Sequence, residues 1–144
     1  MNTLNLLLNH AIKPSVQRLA VMEYLQTHLT HPTVEDIYLD LLPTMPTLSR
    51  TTVYNTLKLF EDHGVVSHIG IDSRNARFDG NTVPHNHFRC KGCGTIMDVW
   101  DSRGVNSSPD IPNDQDFTIT EIHVYYKGYC KNCRENLVTT KIAN

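Results

Sequence analysis

The segment His85-Asn86-His87-Phe88-Arg89-Cys90-Lys91-Gly92-Cys93-Gly94 carries four strong metal-ligand side chains in one short run. A second pair follows in Cys130-Lys131-Asn132-Cys133, so all four cysteines fall into two C-x-x-C knuckles with none left over. A two-residue gap turns both sulfurs toward one ion at about 2.3 Å, and two such pairs suit a tetrahedral tetrathiolate zinc site. His85 and His87 stand just upstream and are not needed by that zinc. Asn86 separates them, which puts both rings on one face of an extended segment. They point to a second metal with a different task.

The elements that must position these side chains change character along the chain. Leu4, Leu7, Leu8 and Ile12 recur at helical spacing, as do Val16, Leu19, Ala20 and Met22 to Leu25 behind Pro14-Ser15. Thr33 behind Pro32 N-caps a helix running to about Leu42, with Ile37, Tyr38, Leu41 and Leu42 inward. Pro43 and Pro46 force a turn. Ser49 caps the next helix, whose apolar side is Val53, Leu57 and Phe60, with Gly64 at its C′ position.

Alternation then predicts a strand from Val66 to Ile71, a turn at Asp72-Ser73-Arg74-Asn75 and a returning strand from Ala76 to Phe78. Three helices and a hairpin make a winged helix-turn-helix. Asp79-Gly80-Asn81-Thr82-Val83-Pro84 reads as a hinge. Beyond it, strands are expected at Phe88–Arg89, Thr95–Trp100 and Thr118–Tyr126, with Gly104 to Asp116 a polar loop or one short helix. The fold class is therefore α+β: a winged-helix DNA-binding domain over residues 1–79, a hinge over 80–84, and a small C-terminal α/β domain over 85–144 that holds the zinc.

Composition sets the class. At 144 residues, with 40% hydrophobic and 19% charged residues, the chain suits a globular protein of one ordinary domain or two small ones. Asn5, Asn9 and His10 break the apolar run at Leu4–Leu8, so neither a signal peptide nor a membrane span is expected. The expected location is the cytoplasm, where cysteines serve as thiolate ligands more readily than as disulfides. Net charge is only −2; residues 1–80 carry six Lys/Arg against eight Asp/Glu, and residues 81–144 carry seven of each. Binding to DNA would need a local patch, or metal cations that neutralise carboxylates and thiolates.

Such a patch is offered by the helix that Ser49 caps. Opposite Val53, Leu57 and Phe60 it shows Arg50, Thr51, Tyr54, Asn55 and Lys58, a set of hydrogen-bonding groups toward its N-terminal end. A recognition helix uses that end for base edges and phosphates in the major groove. A solvated helix face would have a similar composition, but this helix follows a tight proline turn and precedes a wing, which favours DNA.

His31-Pro32-Thr33 with Glu35-Asp36-Ile37-Tyr38, the run Pro46 to Leu57, Arg77-Phe78-Asp79, the His85–Cys93 stretch and Cys130/Cys133 together resemble the ferric uptake regulator (Fur) family. The resemblance covers about residues 12–133. It implies a dimeric, metal-dependent transcription regulator, not an enzyme, that binds a palindromic operator in double-stranded DNA. It also implies a regulatory metal held by His31, Asp79, His85, His87 and Asp98. Three imidazoles and two carboxylates form a mixed set that suits Fe(II) or Mn(II) better than an all-sulfur site would.

Asp79, where iron-sensing members tend to carry Glu, resembles the peroxide-responsive (PerR) branch. There His31 and His85 are the positions implied for oxidation when hydrogen peroxide meets bound iron. Pro84 and Asn86 stand where a further metal site of iron-responsive members would have ligands, so that site is expected to be missing, and His123 is assigned no metal. The rivals are an iron- or other metal-responsive repressor that binds its metal reversibly, a C-x-x-C redox protein and a zinc-ribbon interaction module. Against the redox protein, the pair occurs twice, glycine follows Cys93, and no strand-to-helix setting is expected around either pair.

Overall fold

Side-chain oxygens start the helices of the first half. Asn2 accepts from the Leu4 amide to open α1 (Thr3–Asn9), and Ser15 accepts from Arg18 to open α2 (Val16–Thr27). Thr33 opens α3 (Val34–Leu41) with a full capping box: its hydroxyl accepts from the Asp36 amide at 3.1 Å, and the Asp36 carboxylate accepts from the Thr33 amide at 2.9 Å. Ser49 opens α4 (Arg50–Asp62) by accepting from Thr52 at 3.1 Å. At the far end of α4, Gly64 takes φ +70, Gly64 N–H donates to Glu61 and Val65 N–H to Phe60, both at 3.0 Å, which is a complete Schellman stop.

The computed structural model describes residues 2–100 and 116–142, and the chain divides into two compact units, Met1–Val83 and Pro84–Asn144. In the first, α1–α4 are followed by an antiparallel hairpin of β1 (Ser67–Ile69) and β2 (Arg77–Asp79). Its core gathers Leu7, Val21, Met22, Leu25, Ile37, Val53, Leu57 and Phe60, all at 1% exposure or less. The expected winged helix is present, and α1 precedes its three helices where Leu4, Leu7 and Leu8 recur at helical spacing. Asp79 closes strand β2 and is buried, rather than opening a hinge.

In the second unit β3 (Asn86–Cys90) is the central strand of three, antiparallel to β4 (Ile96–Val99) and parallel to β5 (Tyr125–Gly128). Helix α5 (Lys131–Ile142) follows β5 directly. Two expectations need correction here. Residues 118–124 are exposed and belong to no strand: pairing begins with Val124 O, which accepts from the His87 amide at 3.3 Å, and the strand runs on from Tyr125 to Gly128. The second C-x-x-C does lie in a strand-to-helix setting, between β5 and the first turn of α5. The polar stretch 104–115 lies outside the described residues. No helix among those described is long and apolar enough to cross a membrane.

Candidate metal centres and nucleic-acid interface

Cys90 ends β3, Cys93 sits in the turn that leads to β4, Cys130 precedes α5 and Cys133 lies in its first turn. The four sulfurs lie within 4.8 Å of one another, with Cys93 Sγ and Cys130 Sγ 3.9 Å apart. A zinc tetrahedron with arms of about 2.3 Å has edges of about 3.8 Å, so the cluster fits that ion. A separation of 3.9 Å is far beyond a disulfide bond. Backbone amides aim at the sulfurs: Cys130 N–H and Gly92 N–H each stand 3.3 Å from Cys90 Sγ. Backbone N–H groups, that of Cys130 first, then those of Cys93 and Gly92, lower the pKa of the Cys90 thiol to about 6. Cys133 is pushed up to about 12 by hydrogen bonding to Cys130 and then Cys90. Convergence of all four cysteines, rather than the local setting of either pair, is what argues against a dithiol redox centre.

The second group divides between the two units. In the first, His31 Nε2 lies 3.8 Å from Asp79 Oδ2, with both side chains at 5% exposure or less. His31 adopts φ +55, a left-handed conformation that costs an L residue on the order of 1 kcal/mol. The wing holds it there. Arg77 donates to the His31 carbonyl at 3.3 Å while forking onto the buried Asp72 at 3.1 and 3.2 Å, and Phe78 N–H donates to Pro32 O at 3.0 Å.

In the second unit His85 Nε2 lies 3.2 Å and His87 Nε2 3.7 Å from Asp98 Oδ1. Strand register explains this, since His87 and Asp98 face each other across β3 and β4. The ring centroids of His85 and His87 are 4.5 Å apart, on one side of the strand as their spacing requires. Neutral imidazole nitrogens and a carboxylate oxygen at such distances can share a divalent cation. Trp100 stacks on His85 with centroids 4.8 Å apart, a neighbour that the sequence did not single out.

On α4, Ser49, Arg50, Thr51, Tyr54, Asn55 and Lys58 are all exposed, and Val53, Leu57 and Phe60 fully buried. The two cations are engaged. Arg50 donates to Glu35 at 2.6 and 2.9 Å, and Lys58 pairs with Glu61 and Asp62 at 3.4 Å. Beside Asn55, a cleft of about 550 Å³ brings Lys13, Ser15 and Arg18 against the reader helix. Lys13 and Arg18 escaped the sequence reading, because charges on a separate helix and its approach are not linked to α4 by any spacing rule.

The ferric uptake regulator family profile matches residues 9–127, more than half of the chain. The chain belongs to the ferric uptake regulator family. It is a metal-responsive regulator of that class. Its sequence is 35% identical over 124 residues to the peroxide-responsive repressor PerR of Staphylococcus epidermidis, covering 86% of this chain and 83% of that one. A solved PerR from Streptococcus pyogenes, described for peroxide sensing and gene regulation, is 31% identical with a TM-score of 0.51, over 92% of this chain and 90% of that one. The ferric uptake regulator of Pseudomonas aeruginosa, solved with manganese, shares the fold at a TM-score of 0.73 with 22% identity, over 91% of this chain and 99% of that one.

Within the Fur family frame, His123 lies exposed with Nε2 3.3 Å from Glu121, outside both clusters. Pro84 is exposed and Asn86 buried, and neither belongs to a metal-binding cluster among the described residues.

Proposed function

We propose that this chain is a homodimeric DNA-binding repressor of the cytoplasm that senses hydrogen peroxide through a regulatory metal. One observation carries the reading. Each unit presents an incomplete His/Asp ligand set, His31 with Asp79 in the first and His85, His87 and Asp98 in the second, on either side of residues 80–84. Two ligands alone hold a metal poorly, and three leave much of an octahedral sphere to solvent. Joined on one Fe(II) or Mn(II), they would tie the winged helix to the C-terminal unit.

That union would select the arrangement in which two reader helices match successive major grooves of a palindromic site. Moving such an equilibrium from about 1:99 to 99:1 takes about 5.5 kcal/mol of differential metal binding. The base-reading candidates are Ser49, Arg50, Thr51, Tyr54, Asn55 and Lys58. Zn(II) on Cys90, Cys93, Cys130 and Cys133 lies within one unit and serves folding instead. Exposed Ile119, Ile122, Val124 and Tyr126 support a dimer formed along the β5 edge.

For the signal, the support is Asp79 and the similarity to peroxide-responsive repressors. Bound Fe(II) would supply one-electron reduction of hydrogen peroxide at this site. His31 and His85 are the side chains expected to be oxidised, and loss of either as a ligand would free the winged helix. His31→Ala tests the clamp. It is expected to fold and keep zinc by elemental analysis, yet to lose metal-dependent retardation of operator DNA in a gel shift. Unchanged metal-dependent affinity in that variant would refute the role of His31.

A further inference from the structure

Arg50 is the first residue of the reader helix, where the helix dipole opposes a positive charge. It is not left to solvent alone. Nε donates to Glu35 Oε2 at 2.6 Å and Nη2 to Glu35 Oε1 at 2.9 Å. The guanidinium carbon also sits 4.3 Å from the centroid of the Tyr38 ring. Glu35 and Tyr38 share one side of α3, whose first turn is fixed by the Thr33–Asp36 capping box. These contacts occupy the side edge and one face of the guanidinium. They leave its end edge, Nη1 and the second Nη2 hydrogen, to donate elsewhere. A planar pair of donors of that kind fits O6 and N7 of guanine in the major groove.

Resting on the DNA-binding reading above, we infer that Glu35 and Tyr38 are positioning residues that hold Arg50 in place to read one guanine in each half-site. An unrestrained arginine must give up rotamer freedom when it forks onto a base, whereas this one is already ordered by two partners. The carboxylate also offsets the dipole penalty at the helix start, so the fork adds base discrimination without weakening α4. Glu35 is held below the usual carboxylate range, first by its hydrogen bond from Arg50, so the pair stays ionised at neutral pH.

The test is selection from a randomised duplex library by manganese-loaded wild type, Arg50→Ala, Glu35→Gln, Glu35→Asp, Tyr38→Phe and Tyr38→Ala, each first checked for zinc content and thermal unfolding. Wild type is expected to enrich a palindrome with one strongly preferred guanine per half-site. Arg50→Ala should retain the palindrome and lose that preference by about tenfold or more. Glu35→Gln and Tyr38→Ala should weaken the same position alone, with Glu35→Asp and Tyr38→Phe keeping part of it. Replacing that guanine by 7-deazaguanine should weaken wild type and leave Arg50→Ala unchanged.

Identical base preferences in wild type and Arg50→Ala would overturn the inference. So would a uniform loss of affinity across sequences, the mark of a phosphate contact. Wild type that selects no sequence at all would overturn the DNA-binding reading itself, and this assignment with it.

Discussion

A methyl group at residue 92 would stand 2.7 Å from Cys133 Sγ and 2.9 Å from its Cβ, closer than such carbons approach. Only a glycine lets the Cys90–Cys93 turn reach the helix that carries Cys133, so Gly92→Ala should cut zinc per chain to well below one by elemental analysis. Full zinc in that variant would show that the knuckles open without cost. At this scale His85, His87 and the four cysteines were legible as candidate ligands because spacing dictates their direction, one residue between the histidines and two within each cysteine pair. His31, Asp79 and Asp98 have no such spacing and were implied only by the family resemblance. The partners of those residues were not legible. Trp100 on His85, Arg77 at the His31 carbonyl and Glu35 on Arg50 are neighbours created by packing or by strand ends, which no local spacing records.

Helix α4 shows what an element can reveal and hide. Its cap at Ser49, its apolar face and its glycine stop each follow from short-range stereochemistry, so its limits were readable to within a residue. Phe60 is fully buried in the core of the first unit, and Phe60→Ala is expected to cost about 3–5 kcal/mol in chemical denaturation. A loss under 1 kcal/mol would mean the helix does not pack as described. The last elements were harder to read. Leu137 and Val138 of α5 are half-exposed, so no clean amphipathic stripe announces that helix. Alternation around Ile119, Ile122 and Val124 was read as strand, but the register against the central strand, which places its pairing from Val124 onward, is not recorded in that pattern.

The two units of the whole molecule differ in what holds them. The first has a continuous apolar core, whereas Cys90 and Ile96 are the only buried apolar residues among those described in the second. So small a core needs a metal staple, and zinc is expected to supply much of its folding free energy. Because the Cys90 thiol sits at about 6 rather than its ordinary 9.0, the stability its thiolate contributes is fully present above the ordinary value and is lost as pH falls through about 6. Zinc competes with protons for all four thiolates, so it should be retained at pH 7 and released on acidification, followed with a chromogenic chelator. Release already complete at pH 7 would contradict the tetrathiolate assignment.

The division of labour between the metals turns on the histidines that flank the linker. The most direct measurement treats iron-loaded and manganese-loaded protein with hydrogen peroxide, then records operator binding and peptide masses on the same samples. The iron form is expected to lose DNA and gain oxygen on His31 or His85, while the manganese form keeps both DNA and mass. Equal responses of the two forms, or DNA loss with neither histidine oxidised, would contradict peroxide sensing by this site.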